Sequence, residues 1–239
     1  MLKSIVTKTI HILGFDIQRY NIARCGDDRQ MMMLSAHKVN LVFDIGANTG
    51  GFAILLRKNG YQGRIISFEP LSAAHSQLLK ISRKDPFWEV APRAAIGNQN
   101  IDITINVAGN SESSSILNML ESHSRAAPEA RYIGKEKVPL RRIDSFAPDY
   151  LQAESVLFLK IDTQGFEDRV LEGATGLMDR IVGIQLELSL LPLYENQRLF
   201  DDLLADLKKM KFDLWSIDPV FADHNNGRLL QVDATLFRR

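Results

Sequence analysis

The feature that most constrains this chain is an apolar run that ends on an acid and leads directly into a glycine turn and a helix. Residues 39–45, VNLVFDI, have the length and apolarity of a buried strand. The turn GANTGG follows at 46–51, and the next residues, FAILLRKNG, combine helical spacing with a glycine stop. A strand, a glycine turn and a helix in this order are typical of an α/β protein with a parallel sheet.

The same alternation continues through most of the remaining sequence. Further strands are predicted at 64–69, 90–97, 155–162, 182–189, 212–218 and 229–237. Helices are predicted at 72–84, 164–178 and 199–210. Strands joined through helices pair in parallel, whereas the last two strands lack an intervening helix and should form an antiparallel hairpin. We therefore expect one α/β domain, for which 239 residues and 45% hydrophobic content are ordinary values.

Two segments lie outside this alternation. Near the N-terminus, an apolar stripe with helical spacing is formed by Leu2, Ile5, Val6, Ile10 and Leu13. We interpret residues 1–38 as a helical appendage that packs on its own domain or on a partner subunit; a helix lying on a membrane surface is the alternative. After an extra antiparallel strand at 101–109, residues 108–137 are polar and irregular, and we interpret them as an insertion or lid of the main domain at 39–239.

Composition limits the possible functions. The 29 basic and 29 acidic residues balance, so bulk charge provides no attraction for nucleic acid. The single cysteine, Cys25, excludes an internal disulfide and a cysteine-rich metal site, and the five histidines lack metal-binding spacing. No apolar stretch reaches the roughly 18 residues of a membrane span, and no signal peptide is recognisable. We expect a cytoplasmic protein that acts on a small molecule or a glycan and holds no metal; Mg²⁺ on the acidic side chains is the alternative, and a homo-oligomer is left open.

Four predicted strands carry an acid at or near the carboxyl end, where open parallel sheets bind ligands: Asp44, Glu69, Asp162 and Glu187. Lys160 shares a face of its strand with Asp162, because side chains alternate along a strand. Glu187 likewise shares a face with Gln185 and Ser189, while the other face of that strand is aliphatic. Polar residues on one side of interior strands indicate the wall of a cavity.

The glycine turn favours a nucleoside ligand without phosphates. A dinucleotide-binding turn follows the pattern GxGxxG, but Asn48 occupies the second glycine position, where a pyrophosphate would meet its side chain. Asp44 brings a negative charge, which suits a cation better than a phosphate. Glu69, at the end of the next strand, can accept hydrogen bonds from both hydroxyls of a ribose. S-Adenosylmethionine, a nucleoside with a sulfonium centre, meets these requirements.

Six motifs extend from about residue 39 to the C-terminus: VFDIGANTGGFA, SFEP, AAIG, ESSSIL, FLKIDTQGFE and QLELSLLPLYE. Together they resemble the FkbM family of S-adenosylmethionine-dependent methyltransferases. The resemblance implies a class I methyltransferase fold, which is a Rossmann-like, doubly wound sheet of about seven strands with the last strands antiparallel. It also implies O-methylation, often of sugar hydroxyls in glycans or in polyketide-type natural products.

Methyl transfer from a sulfonium requires an acceptor oxygen roughly 3 Å from the methyl carbon and in line with it. A sugar hydroxyl is a weak nucleophile, so a carboxylate that accepts its proton should help. Asp162 and Glu187 are the two candidates for this base, and Lys160 is expected to pair with one of them and to have a lesser part in the chemistry. Alternatively, Asp162 only caps the following helix, and Glu187 only neutralises Lys160.

Contacts to cofactor and substrate are expected along the same motifs. The predicted cofactor-binding residues are Asp44, Gly46, Asn48, Gly50, Glu69, Pro70, Ala95 and Asp162. The predicted substrate-binding residues are Ser113, Ser114, Ser115, Gln164 and Tyr194. The serines could equally be solvated turn residues, and Tyr194 could anchor a loop instead of stacking on a sugar.

Other functional classes compete with this interpretation. An NAD(P)-dependent oxidoreductase would use a similar sheet, but Asn48 in the turn and the lack of a Tyr-x-x-x-Lys pattern argue against it. A non-catalytic protein that binds S-adenosylmethionine would retain the same fold. A nucleic-acid methyltransferase is disfavoured by the zero net charge and by the lack of an Asn/Asp-Pro-Pro-aromatic motif.

Overall fold

The structure is a computed structural model that describes residues 20–239. Its strands are β1 Leu41–Ile45, β2 Arg64–Phe68, β3 Trp88–Val90, β4 Ala95–Ile96, β5 Ile101–Ala108, β6 Tyr132–Arg141, β7 Leu157–Ile161, β8 Ile181–Ser189, β9 Phe212–Ala222 and β10 Leu229–Arg238. Its α-helices are α1 Gly26–Ala36, α2 Gly51–Lys58, α3 Ser72–Ser82, α4 Glu121–Ala126, α5 Ile143–Phe146, α6 Glu167–Gly173 and α7 Phe200–Lys209. Short 3₁₀ helices occur at Ile22–Arg24, Pro128–Ala130, Ala147–Asp149 and Thr175–Arg180.

Seven of these strands form the central sheet, in the order β3-β2-β1-β7-β8-β10-β9. The first five in this order pair in parallel, and β10 lies antiparallel between β8 and β9. The predicted doubly wound sheet with an antiparallel C-terminal hairpin is therefore confirmed. The strand order reverses at β1 and β7, and this is the position where open α/β sheets bind ligands beyond their carboxyl ends.

A second sheet of three strands, β4-β6-β5, lies beside the central one, with β5 and β6 antiparallel. The strand predicted at 90–97 is wrong as a single element. Pro92 lies in its middle and has no N–H for a ladder, so the segment divides between β3 in the central sheet and β4 in the small one. Residues 132–137 are predicted to be part of an irregular segment, but they form the first part of β6 instead.

Apolar side chains fill both faces of the central sheet, as the alternation along β7 illustrates. Leu157, Leu159 and Ile161 face one core, which α6 and α7 cover. Phe158 faces the other core, to which α1 contributes Met33. Lys160 has the same parity as Phe158, so the second face becomes polar only towards the carboxyl end of the strand.

The predicted helix over the first thirteen residues lies outside the described residues, and the boundary at 38/39 stays a prediction. Within the described chain, α1 is tied to the far edge of the sheet, because Arg29 donates to Ser216 at 2.9 Å and pairs with Asp218. No helix between residues 20 and 239 is both long and apolar enough to cross a membrane.

Candidate active site

The glycine turn after β1 lies directly against the end of β7. Gly46 has a φ of +78°, and a Cβ at this position would lie 1.8 Å from the carbonyl oxygen of Asp162. The two strands approach so closely because Asp162 N donates to the carbonyl of Ile45 at 3.0 Å. Asn48 also has a positive φ, +46°, which only a few per cent of non-glycine residues adopt. The lack of a side chain at Gly46 thus allows the turn to pack against the polar end of β7.

Glu69 closes the other side of the turn. Its Oε2 accepts a hydrogen bond from the backbone N–H of Asn48 at 2.8 Å, and its Oε1 accepts one from Leu71 at 2.7 Å. Burial raises the pKa of Glu69 to about 7, although these two bonds oppose the increase. Each carboxylate oxygen has a second lone pair, so the group can still accept two ligand hydroxyls.

A buried charge cluster lies beneath the turn. The Nζ atom of Lys160 is 3.0 Å from Oδ2 of Asp162 and 3.8 Å from Oδ1 of Asp44. Asp44 is fully buried, and burial raises its pKa although Lys160 opposes this effect. Its other oxygen accepts a hydrogen bond from Ser67, which in turn accepts one from the indole of Trp88. The predicted pairing of Lys160 therefore involves Asp162 and Asp44.

Glu187 has different partners. Its Oε2 accepts hydrogen bonds from Nε2 of Gln164 and Nε2 of Gln231, each at 2.7 Å. The same nitrogen of Gln164 donates to Oδ1 of Asp162 at 2.9 Å, so one amide bridges the two candidate bases. Burial, together with the nearby Asp162 and Asp233, raises the pKa of Glu187 well above its usual range. A buried carboxylic acid of this kind is a common feature of proton-transfer sites.

The loop that carries Gln164 is held by Glu167, which is almost completely buried. Oε1 of Glu167 accepts bonds from the backbone N–H groups of Thr163 and Gly165, at 3.0 and 3.1 Å. This carboxylate therefore supports the turn between β7 and α6, and the Asp162 carboxylate is left to Lys160 and Gln164. Asp162 does not cap α6 with its side chain.

The predicted cofactor contacts converge on a cavity of about 310 Å³, within the usual range of ligand pockets. Its wall contains six of the eight predicted cofactor residues: Gly46, Asn48, Glu69, Pro70, Ala95 and Asp162. Lys160, Glu187 and Gln164 lie in the same wall. Asp44 and Gly50 do not: Asp44 lies beneath Lys160, and a Cβ at Gly50 would lie 2.7 Å from the ring of Trp88.

The predicted substrate residues separate into two groups. Ser114 lines the cavity, whereas Ser113 and Ser115 are buried behind it, and Ser115 donates to the carbonyl of Gln164 at 2.7 Å. Tyr194 is also fully buried and outside the cavity wall, so its ring is not placed to stack on a sugar that occupies this cavity. Its buried position fits the alternative interpretation, in which Tyr194 anchors a loop.

The predictions omit five polar residues at the site: Thr49, Ser111, Glu112 and Thr163 in the cavity wall, and Gln231 behind Glu187. Ser111 and Glu112 contribute to the cavity wall just before the predicted serines, and Ser111 donates to the side-chain oxygen of Asn48 at 3.3 Å. Gln231 supports Glu187 from β10. The alternation of Gln231 and Asp233 with apolar neighbours was a signal for Gln231, because it shows that one face of β10 is polar.

These residues fit S-adenosylmethionine. The cavity wall carries four carboxyl groups and one ammonium, which suits a cationic centre, and one of these carboxyl groups, Glu69, has lone pairs for a ribose. Among residues 20–239, no group of three or more His, Cys, Asp and Glu side chains is arranged to hold a metal ion. The expectation that the site works without a metal stays a prediction.

Comparison with known proteins identifies the family. No curated protein matches this sequence. TehB from Haemophilus influenzae is similar in structure, with a TM-score of 0.48 and 10% identity over 90% of this chain, which spans 62% of TehB. Sp1610 from Streptococcus pneumoniae, a putative tRNA (m1A22) methyltransferase in complex with S-adenosyl-L-methionine, has a TM-score of 0.48 and 11% identity over 88% of this chain and 72% of its own.

A third similar structure is precorrin-6y C5,15-methyltransferase from Geobacter metallireducens, with a TM-score of 0.42 and 12% identity over 93% of this chain and 94% of its own. The methyltransferase FkbM domain profile matches residues 44–214, which is more than two thirds of the sequence and includes the turn, the candidate bases and all of the cavity wall except Val220. This family assignment argues against the NAD(P)-dependent oxidoreductase. The chain belongs to the FkbM family of methyltransferases, and its cofactor is S-adenosylmethionine.

Proposed function

We propose that this methyltransferase transfers the methyl group to a hydroxyl oxygen, and that the acceptor is a sugar in a glycan or a related natural product. The observation that carries the proposal is the position of Glu187. Its carboxyl group lies in the wall of the same cavity as the ribose-binding candidate Glu69, and burial keeps its pKa high. A carboxylate in this position can take the proton that a hydroxyl loses when its oxygen is methylated.

The cofactor supplies an electrophilic methyl group on a sulfonium. Glu69 would hold the ribose, the turn from Gly46 to Asn48 would line the cofactor side of the cavity, and Asp162 would face the boundary between cofactor and acceptor. Lys160 keeps Asp162 in place through the 3.0 Å ion pair. It also offsets part of the negative charge of the site.

Between the two candidate bases, the contacts favour Glu187. Within the described part of the chain, both hydrogen bonds to Glu187 reach Oε2, which leaves Oε1 for an acceptor hydroxyl. Asp162 uses one oxygen for Lys160 and the other for Gln164. A base is most effective when its pKa is near the working pH, and burial moves Glu187 in that direction. We therefore assign proton acceptance to Glu187 and orientation of the acceptor to Asp162.

The charge of the cavity supports a small polyhydroxyl acceptor over a nucleic acid. Its ionisable wall residues are Glu69, Glu112, Asp162, Glu187 and Lys160, so acids outnumber bases four to one, although the raised pKa values of Glu69 and Glu187 reduce the negative charge at neutral pH. An acidic wall repels phosphates, on which nucleic-acid affinity mainly depends. Carboxylate and amide oxygens are suitable partners for sugar hydroxyls, which donate hydrogen bonds. That nucleic acid is not the substrate stays a prediction.

The test is methyl transfer from isotopically labelled S-adenosylmethionine to a panel of oligosaccharides and glycosides, with separate RNA and protein samples. NMR of the product identifies the methylated atom. We expect methylation on a sugar oxygen. Glu187→Gln should lower turnover at least roughly 100-fold while affinity for S-adenosylmethionine survives. Asp102→Asn, at an exposed acid on β5, is the matched control and should retain full activity.

Methylation of RNA or protein in place of sugars would contradict the acceptor class. A Glu187→Gln variant with wild-type turnover would contradict the assignment of the base. A chain that binds S-adenosylmethionine but transfers its methyl group to none of the samples would instead support the non-catalytic alternative.

A further inference from the structure

A buried series of hydrogen bonds leads from Tyr194 to the two candidate bases. The Tyr194 hydroxyl donates to Oε1 of Gln164 at 2.7 Å. On the other side of that amide, Nε2 donates to Asp162 at 2.9 Å and to Glu187 at 2.7 Å. Tyr194 lies outside the cavity wall, so its route to the site is through Gln164.

The orientation of the Gln164 amide decides what the two carboxyl groups face. A glutamine amide offers two N–H donors on one side and only an acceptor on the other. In the opposite orientation, Oε1 would face two acids, and neither carboxylate would receive a donor from this residue. The phenol adds to the preference of the two acids for the observed orientation, because it donates its hydrogen to Oε1 at 2.7 Å and holds that oxygen on the side away from them. We propose that Tyr194 is a positioning residue, whose hydroxyl fixes the Gln164 amide so that both of its hydrogens serve Asp162 and Glu187.

The segment before α4 contacts the same amide-bearing residue. Ser115 Oγ donates to the backbone carbonyl of Gln164 at 2.7 Å, and the carbonyl of Ser113 lies 3.3 Å from the Tyr194 hydroxyl. The hydroxyl has one hydrogen, and the shorter contact, to Gln164, takes it. Ser114, between these two serines, lines the cavity. One set of contacts thus holds both the segment that lines the cavity and the amide that orients the bases.

The backbone of Gln164 shows that its position is strongly determined. Its φ is +54°, and Gly165 follows with +96°. Left-handed geometry is uncommon for glutamine and costs free energy, and residues of this kind concentrate at functional sites. The turn places the side chain of Gln164 between β7 and β8, where it reaches both acids.

The inference rests on the proposed function, because Asp162 and Glu187 matter as the candidate bases. Its test needs no acceptor, so its failure and the failure of the proposed function are distinguishable. The experiment follows the carboxyl carbon of Glu187 by NMR against pH, in the full chain labelled at glutamate. The signal that disappears in Glu187→Gln gives the assignment.

Tyr194→Phe keeps the ring and removes the hydroxyl, so Oε1 of Gln164 loses its buried donor and the N–H groups of the amide are held less firmly on Asp162 and Glu187. We expect the midpoint of the Glu187 titration to rise by roughly one pH unit, since loss of a hydrogen bond to the charged form makes ionisation less favourable. Tyr132→Phe is the matched control, because the Tyr132 hydroxyl donates to the carbonyl of Leu117 and touches neither acid. The control should leave the midpoint unchanged.

A double-mutant cycle separates positioning from general damage to the fold. Gln164→Met removes the amide and should itself raise the Glu187 midpoint, and adding Tyr194→Phe to it should raise the midpoint no further. The proposal is overturned if Tyr194→Phe leaves the midpoint where it is, or if it shifts the midpoint equally with and without Gln164. An equal shift in Tyr132→Phe would also overturn it, because the effect would then belong to any lost hydroxyl in this region.

Discussion

Replacement of Glu69 by glutamine tests the cofactor half of the site, because it removes a charge without changing the side chain's shape. The wild-type carboxylate accepts backbone N–H groups from Asn48 and Leu71 and retains lone pairs for a ribose diol. Glutamine keeps one acceptor oxygen and places an NH₂ group where the other oxygen was. We expect Glu69→Gln to bind the cofactor 10- to 100-fold more weakly, which is roughly the loss of one charge-assisted hydrogen bond.

The pH dependence gives a second magnitude from the same group. Burial raises the pKa of Glu69 to about 7, so much of the carboxyl group is protonated in slightly acidic solution. If the ligand binds only the ionised form, affinity should fall roughly 30-fold between pH 8 and pH 5.5 in the wild type. Glu69→Gln has no charge to lose, so its weaker affinity should be flat over this range apart from the ligand's own titration, which both proteins share.

Stability should change with pH in the opposite sense. The folded pKa of Glu69, about 7, lies above its ordinary value of 4.5, so the folded state binds the proton more tightly than the unfolded state. The group's contribution is fully present below pH 4.5 and is lost as pH rises through 7, with a loss of about 3 kcal/mol. Urea unfolding at several pH values should show this decrease in the wild type and a smaller one in Glu69→Gln.

The assay is calorimetric titration with S-adenosylhomocysteine, which carries the same ribose and transfers no methyl group. Asp233→Asn is the control variant: burial raises the pKa of Asp233 to about 6, so it titrates near this range, and it lies on β10 outside the cavity wall. It should retain the transition that is assigned to Glu69. Wild-type affinity that does not change with pH, together with unweakened binding by Glu69→Gln, would refute the ribose assignment.

Two further substitutions test how the sheet positions the site. Gly46→Ala should destabilise the fold by at least ~3 kcal/mol, because its Cβ would overlap the carbonyl of Asp162. Gly60 has a similar φ and open space around it, so Gly60→Ala should cost only ~1–2 kcal/mol. Equal losses of stability in urea unfolding would contradict this account. Lys160→Met should cost roughly 3–5 kcal/mol by leaving the buried Asp44 without its cation. Adding Asp44→Asn should recover part of that stability. A Lys160→Met variant as stable as the wild type would show that the ion pairs of Lys160 make no net contribution to the free energy of unfolding.

The strand, turn and helix at the start of the domain were predictable because their residues act locally. An apolar run, a glycine turn and a 3.6-residue spacing each specify their own backbone, and the order of such units restricts the connections to a few topologies. Acids at strand ends were predictable for the same reason, since parallel strands bring their carboxyl ends to one edge. Glu69, Asp162 and Glu187 do lie in one cavity wall.

Positions that depend on distant partners were not predictable. Asp44 has the same place on its strand as the other acids, but Lys160 of the neighbouring strand covers it, and only the register of β1 with β7 reveals this. Tyr194 follows β8 at a distance at which a stacking role and an anchoring role are equally compatible with the sequence. Its fully buried position depends on the segment before α4, because the Tyr194 hydroxyl lies against the carbonyl of Ser113, which is 81 residues earlier in the chain.

The surroundings of Glu187 on β8 include acids of the two neighbouring antiparallel strands, β10 and β9. In the antiparallel register, Asp233 lies directly opposite Glu187, and Asp218 of β9 lies directly opposite Asp233. Like charges opposite one another on neighbouring strands destabilise a sheet, so an arrangement selected for stability alone would not keep three acids in this row. The sheet tolerates them because Gln231 donates to Glu187, and because Arg29 of α1 pairs with Asp218. The row of acids thus lowers the stability of the sheet at Glu187, where the proposed reaction needs a carboxyl group with a raised pKa.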